Sequence, residues 1–395
     1  MRITIVSGFF LPVPPVSGGA TEKSWYQLGR IFATRGHAVT IVSRRWPGWA
    51  NEEVADGIRH LRLSGANHRH RIWLNLLLDF IWSWRVFFAL PAADIVVVNT
   101  VALPIWLGLL RPRAGRIILM TGRMPKGQYR FYRKIARVLV PSGIVRDRVL
   151  AENPRLQPVL RVQGYPIDWT LLSQPVNSRP PSMPQMTPGE VTLGFVGRLH
   201  EEKGLRLLVE ALKIVTAEPG LPPWHLLLCG PSDIAHGGSG PAFKAELLKR
   251  LSAIMKPGTY NVLNPQFSDR TLAGVYQQIG IFCYPSLAER GETFGVAVVE
   301  AMAAGAVPVV SQLGCFSDFM RDGDNGLVFD HRSPDAAPRL AAALIRLLRD
   351  PELRLRLAIA ARSTARNYDY HAYAGVLLED FARLTDPAKP ASSTP

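Results

Sequence analysis

The chain has 395 residues, too long for one ordinary domain and about right for two, and its 47% hydrophobic and 19% charged content excludes a generally disordered polypeptide. The formal charge of +15 is uneven: residues 1–189 carry 25 Lys and Arg against 9 Asp and Glu, and the remainder carry 21 against 22. A basic first half points to an anionic partner (nucleic acid, a membrane leaflet or a small molecule), and composition does not choose among them.

Ile3–Ser7 reads as a short apolar strand at the start of MRITIVSGFF. A Pro/Gly-rich loop, FFLPVPPVSGGAT, leads into a helix with Leu28, Ile31 and Phe32 on one face and Gly36 near its C-cap. Ala38–Val42 is the next strand. Ile72–Leu90 is an apolar helix interrupted by Asn75, Asp79 and Ser83, spaced by four, with Arg71 extending the stripe. That spacing predicts a wet face on an amphipathic helix, not a membrane span. Packing against a core is the expectation; the flanking HRHR and three tryptophans leave a helix lying on a membrane surface as the alternative. Asp94–Val98 and Arg116–Leu119 read as strands buried on both faces of a parallel sheet. Arg130, Lys134 and Arg137, with Arg133 beside them, are predicted to share a helix face, either simply solvated or in contact with anionic head groups or another anionic ligand.

Residues 173–190 hold five prolines without periodicity and read as a linker. The alternation then restarts: strand Val191–Gly197, helix Leu205–Val215, strand His225–Cys229, a helix around Lys244–Ile254 and strand Tyr260–Leu263. Helix Thr271–Gln278, strand Ile281–Tyr284, helix Val296–Ala304 and strand Val307–Ser311 follow. The predicted fold is α/β, with doubly wound parallel-sheet domains over residues 1–180 and 190–370 facing a cleft. The tail after Ala388 reads as disordered.

Three segments carry chemistry. In ETFGVAVVEAMAAG, Gly295 opens and Gly305 closes a helix whose one charged residue is Glu300. A carboxylate isolated in an apolar helix needs a hydrogen-bonding partner, and a helix N-terminus after Phe294 and Gly295 suits an anion. A nucleoside diphosphate, with phosphate at the tip and ribose diol within reach of Glu300, has that shape; a solvent-facing Glu is the alternative. In GRLHEEKG, Arg198 and Lys203 stand at the carboxyl edge of the second sheet, where two cations suit a departing diphosphate; a salt-bridged surface loop would use the same residues. Gly18 and Gly19 sit at a strand-to-helix turn, where glycine lets backbone approach a ligand, as any plain turn would. Cys229, Cys283 and Cys315 are odd in number and lack Cys-x-x-Cys spacing, so neither a disulfide framework nor a cysteine zinc site is expected. Asp322-Gly323-Asp324 reads as a turn, and no His cluster has metal-ligand spacing.

Together these segments resemble the retaining, nucleotide-sugar-dependent glycosyltransferases of family 4, which have the GT-B fold of two Rossmann-like domains. The resemblance spans nearly the whole chain, through PVSGGATEKSWYQLGRIFATRGHAVTIVS, GRLHEEKG, YPSLAERGETFGVAVVEAMAAGAVPVV with its Glu-x7-Glu pair, and DGDNGLVFD. It implies an NDP-sugar donor and no metal or other cofactor. Arg198 and Lys203 would bind the donor diphosphate, Glu300 the ribose and Glu292 the transferred sugar. The backbone of Thr293, Phe294, Gly295 and Val296 would meet sugar hydroxyls and phosphate, and Gly19, beside Gly18, would approach the diphosphate from the first domain. A last helix over 371–388 would cross back to the first domain, which would bind the acceptor. Where the family has a histidine near the reacting sugar, this chain has Thr121, followed by Gly122 and Arg123; Thr121 and Arg123 become candidate acceptor or sugar contacts.

The expected activity is retaining, metal-independent transfer of a sugar to an acceptor hydroxyl, by a cytoplasmic protein with no signal peptide ahead of its first strand. The basic domain is expected to meet an anionic or membrane-bound acceptor, not nucleic acid, since no nucleic-acid motif accompanies the charge. An NDP-sugar epimerase or hydrolase of the same fold, or a non-catalytic nucleotide-sugar-binding relative, are the alternatives.

Overall fold

A computed structural model describes residues 1–16, 19–69, 71–176, 180, 183, 187 and 189–386. Gly18, half of the proline-rich stretch and the tail after Ala388 lie outside the described residues. The chain forms two compact units, Met1–Pro166 with Tyr370 onward, and Ile167–Asp369.

The first unit is built on eight strands: β1 (Arg2–Val6), β2 (Ala38–Arg44), β3 (Glu52–Ala55), β4 (Ile58–Leu63), β5 (Ile95–Val98), β6 (Arg116–Met120), β7 (Arg137–Val140) and β8 (Leu160–Val162). They lie in the order β3-β4-β2-β1-β5-β6-β7-β8, all parallel except the β3–β4 hairpin. Helices α1 (Ala20–Thr34), α2 (Ile72–Ala89), α3 (Leu103–Leu110) and α4 (Gly143–Glu152) connect them. The central strands alternate between two cores. Ile3, Ile5, Ile41 and Val97 pack against Trp25, Leu28 and Phe32 of α1, while Val6, Val42, Val96 and Val98 pack against Trp82 and Val86 of α2 and Leu103 and Leu107 of α3.

The second unit has six parallel strands, β9 (Val191–Val196), β10 (Trp224–Cys229), β11 (Tyr260–Leu263), β12 (Ile281–Tyr284), β13 (Val307–Ser311) and β14 (Leu327–Phe329), in the order β11-β10-β9-β12-β13-β14. Its helices are α5 (Trp169–Ser173), α6 (Leu205–Ala217), α7 (Pro241–Ile254), α8 (Asp269–Tyr276), α9 (Val296–Ala303), α10 (Ala336–Arg349) and α11 (Pro351–Arg366). Strand order reverses between β9 and β12, so the loops leaving these two strands diverge and leave a crevice at their carboxyl ends.

The chain enters the second unit at Pro166–Ile167, upstream of the proline-rich stretch that composition marks as the linker. The reason is hydrogen bonding: the Gln277 side-chain amide donates to the carbonyls of Leu172 and Gln174 at 3.0 and 2.6 Å, tying α5 to this unit. The chain returns through α12 (Tyr370–Thr385), which belongs to the first unit. There Phe381 meets Phe32 edge-on, with centroids 6.1 Å apart.

Two expectations for the first unit are corrected. Arg130, Lys134 and Arg137 share no helix face. Gln128–Phe131 is a single 3-10 turn, Lys134 takes a left-handed conformation, and Arg137 opens the buried strand β7. The Arg137 guanidinium is committed to both carboxylate oxygens of Asp380 on α12, with its Nε 2.6 Å from Oδ2. The polar stripe of α2 is also not its wet face. Asp79 and Ser83 are buried, Asn75 is half-buried, and the exposed side of the helix is apolar.

The cause of that inversion is local. The Asp79 carboxylate accepts the backbone N–H groups of Val101 and Ala102 at 3.2 and 2.7 Å, satisfying amides at the start of α3. Trp82 donates its indole N–H to the Ser7 carbonyl at 3.1 Å. Burial pushes the Asp79 carboxyl up to about 6, only partly countered by the two N–H groups. The folded state therefore holds this proton more tightly than the unfolded chain. The stability Asp79 contributes is complete below about pH 4 and is lost as pH rises through 6. Relative to Asp79→Asn, the wild type is expected to lose about 2 kcal/mol between pH 4 and 7. Denaturant midpoints of both proteins across that range check this; parallel curves would show that Asp79 does not carry the proton.

Candidate functional site

In the second unit the site residues gather at the carboxyl ends of β9 and β12. All six residues of β9 are buried, and the chain then turns through Gly197 into Arg198. A short 3-10 turn, Glu201–Lys203, ends on Gly204, whose left-handed backbone (φ 69°) starts α6. This turn carries Lys203 inward, to 6% exposure, and its Nζ lies 2.6 Å from Oε2 of Glu292. The same oxygen accepts the hydroxyls of Tyr284 at 3.1 Å and Ser286 at 3.3 Å. Lys203 also stands over the Tyr284 ring, 5.3 Å from its centroid. Burial, and then the Glu292 carboxylate, hold the Tyr284 hydroxyl well above its ordinary range, so it remains a protonated donor.

Arg198 lies beside this centre and is more open. Its Nη1 donates to the Gly237 carbonyl at 2.6 Å and its Nη2 to Glu202 Oε1 at 2.7 Å. Both predicted cations are therefore held by carboxylates, Arg198 by Glu202 and Lys203 by Glu292.

Gly295, with φ 92°, forms the N-cap of α9 and leaves no room for a side chain: a Cβ there would sit 2.5 Å from the Phe316 ring. The Phe294 ring is buried against Phe319 and Tyr368, so this residue offers backbone alone outward, as does the first turn of any helix. Thr293 and Val296 flank it half-buried. Glu300 is half-buried on α9 and accepts the Tyr276 hydroxyl at 2.8 Å. Burial and Glu300 itself push that hydroxyl far up, making Tyr276 a fixed donor. The isolated carboxylate is thus oriented by a buried tyrosine.

In the first unit Gly19 has φ 94° and caps α1; a Cβ on it would meet Glu22 Oε2 and Leu11 Cδ1, each at 2.8 Å. Gly18 lies outside the described residues. Glu22 is buried, which raises its carboxyl above the usual range, while its own backbone N–H and the Arg123 guanidinium pull it down. Arg123 is exposed. Thr121 is 2% exposed, with Oγ1 2.6 Å from the Tyr129 hydroxyl, so its side chain is turned into the unit's interior. Among the described residues, no group of three or more His, Cys, Asp or Glu could hold a metal ion. Asp322 serves the turn, accepting the Val328 N–H at 2.9 Å.

Residues 184–364, the stretch bearing Arg198, Lys203, Glu292 and Glu300, match the family model described as Glycosyl transferases group 1. The chain is a glycosyltransferase with a group 1 domain over residues 184–364. It is 27% identical over 416 aligned positions to the phosphatidyl-myo-inositol mannosyltransferase of Mycobacterium tuberculosis, covering 96% of each chain. Among solved structures it resembles sucrose-phosphate synthase from Thermosynechococcus elongatus (TM-score 0.70, 20% identity, 97% and 98% of the two chains). It also resembles Anabaena HepE in complex with UDP and glucose (TM-score 0.67, 15% identity, 97% and 99%). The architecture is GT-B, with two parallel-sheet α/β units.

In this glycosyltransferase the partners of the site residues escaped sequence reading. Tyr284 and Ser286 carried a usable signal, since they end and follow β12 at the strand-order reversal. Glu202 was visible inside GRLHEEKG but was not assigned to Arg198. Tyr276 and Glu22 had no local signal, because each meets its partner only through tertiary packing.

Proposed function

We propose that this glycosyltransferase moves a sugar from an NDP-sugar to an acceptor hydroxyl with retention of configuration and without a metal. The observation that carries the reading is the pairing of Lys203 with Glu292 beside Arg198, in the same loops that lead to the α9 N-terminus and Glu300. The diphosphate would lie against Arg198, Lys203 and the first-turn amides of α9, with Glu300 accepting from the ribose hydroxyls. As the bond from sugar C1 to the β-phosphate oxygen breaks, the two cations stabilise the growing charge. The acceptor oxygen bonds to C1 on the same face, and its proton passes to the departing phosphate oxygen. Glu292 is a poor nucleophile here, since one oxygen already accepts from an ammonium and two hydroxyls; its role is to orient Lys203 and meet the sugar. The UDP in the HepE structure and the inositol-lipid mannosyltransferase name of a relative support a nucleotide-sugar donor and an anionic, membrane-bound acceptor.

A thermal-shift panel of UDP-, GDP-, ADP- and dTDP-sugars identifies the donor. Glu300→Gln is expected to keep the fold and weaken nucleotide binding by about 1–3 kcal/mol, the scale of a charge-assisted hydrogen bond. Unchanged affinity by calorimetry would remove Glu300 from the ribose. Turnover is expected to survive excess EDTA; loss restored by Mg2+ or Mn2+ would overturn metal independence. Consumption of donor without acceptor would favour a hydrolase or epimerase instead.

A further inference from the structure

We propose that the outward face of α2 is a docking surface for an anionic phospholipid bilayer, on which the first unit lies. Ile72, Trp73, Leu76, Leu77, Phe80 and Phe88 are between 45% and 78% exposed, a continuous stripe on one side of an 18-residue helix. Scattered exposed apolar residues are normal, but a contiguous stripe of this kind marks an interaction site. The helix cannot rotate the stripe inward, because its opposite side is spent: Asp79 caps α3, Trp82 bonds the Ser7 carbonyl, and Ser83 and Val86 are fully buried. By length and composition α2 could cross a membrane. Crossing would pull those buried groups out of the unit, whereas lying in the interface plane uses the exposed face as it stands.

Charge selects the occupant. From residue 57 to residue 146 the sequence holds fifteen Lys and Arg against two acidic residues; Arg62 and Arg137 are buried in ion pairs with Glu53 and Asp380, and Asp79 is buried beneath the helix, which leaves thirteen basic groups against Asp94. Arg69 and Arg71 are exposed at the start of α2. Leu109 and Leu110 of α3 extend the apolar surface, joined to α2 by Trp106 stacked on Trp84 at 5.3 Å. Exposed Arg133 and Lys134 lie against α3, where a Cβ on Gly108 would come within 3.2 Å of both. Apolar side chains for the acyl boundary beside exposed basic groups fit anionic head groups better than a second protein of the same basic charge. The use of this surface rests on the proposed membrane-bound acceptor. Docking itself is measured without acceptor or donor, so the two readings fail separately.

The test is co-sedimentation of the full chain with vesicles of equal parts phosphatidylglycerol and phosphatidylcholine, and with phosphatidylcholine alone. The wild type is expected to bind the anionic vesicles and to release with salt. Leu76→Glu with Phe80→Glu is expected to lower partitioning by about tenfold or more. Arg69→Glu with Arg71→Glu is expected to lower it on anionic vesicles only. Val376→Glu, which changes an exposed apolar residue on α12, is expected to bind as wild type. Circular dichroism and nucleotide-induced thermal shifts confirm that each variant is folded. The proposal is overturned if the wild type stays in the supernatant or if the double apolar variant sediments like it. It is also overturned if light scattering shows a wild-type dimer that Phe80→Glu dissociates.

Discussion

Replacing Lys203 with alanine is expected to lower kcat by on the order of 10²–10³, about 3–4 kcal/mol of transition-state stabilisation, and Arg198→Ala should do the same. Both cations act on charge that grows as the glycosidic bond breaks, so the loss appears in turnover more than in binding of intact donor. The free nucleoside diphosphate carries the full leaving-group charge and should bind more weakly to both variants. A nucleoside without phosphates should bind as before. The two variants differ in stability, because their surroundings differ. The side chains of Lys203 and Glu292 are 8% and 11% exposed, and removing the ammonium leaves a carboxylate served by two hydroxyls alone, at a cost of about 3 kcal/mol. Arg198 is 42% exposed and its pair with Glu202 is solvated, so Arg198→Ala should unfold at nearly the wild-type midpoint. Adding Glu292→Gln to Lys203→Ala should restore most of the lost stability and none of the turnover. Near-wild-type turnover in both alanine variants would make these cations ordinary surface residues and leave Arg123 the next candidate electrophile.

The first five strands of the second unit were legible, whereas β14, which extends the sheet beyond β13, and helices α10 and α11 were not read from the sequence. Tyr260–Leu263, Ile281–Tyr284 and Val307–Ser311 are strands with the limits that their apolar runs predict. Short apolar strands flanked by glycine or proline admit few other readings. Its candidate residues could be named because they fall in two contiguous segments, the loop leaving β9 and the loop and helix α9 that follow β12, where local order and spatial order coincide. The first unit was less readable for identifiable reasons. Period-four spacing in α2 separates two faces without saying which is inside, and the choice was made by Asp79 reaching amides 22 and 23 residues away. Arg137 looked like a helix surface because the carboxylate that justifies burying it lies 243 residues on, in α12. The burial of Thr121 was not legible either, because its hydroxyl meets that of Tyr129, eight residues downstream, through tertiary packing.

Gly204 is where the fold of the second unit and its chemistry meet, and Gly204→Ala is expected to damage both. At φ 69° an alanine costs roughly 1–2 kcal/mol in backbone strain. Its Cβ would also sit 1.9 Å from the Pro285 carbonyl oxygen, a contact that only backbone movement relieves. Overpacking of this kind adds about 1–3 kcal/mol, for a total loss of about 2–5 kcal/mol. The movement cannot be harmless, because it separates the two segments that hold the site. The Leu287 N–H donates to the Glu202 carbonyl at 2.7 Å, fastening the Lys203 turn to the loop that carries Ser286 and leads to Glu292. Opening that contact by about 1 Å misplaces Lys203 against Glu292 and should cost about 10²-fold in kcat, even in protein that remains folded. Gly204→Asn separates the two causes. Asparagine tolerates the left-handed region but brings the same Cβ, so it should recover some of the stability and little of the turnover. Melting curves with kcat measured below each midpoint decide the matter. If alanine matches wild type in both, the turn is more compliant than its backbone contacts imply, and Lys203 is positioned by its bond to Glu292 alone.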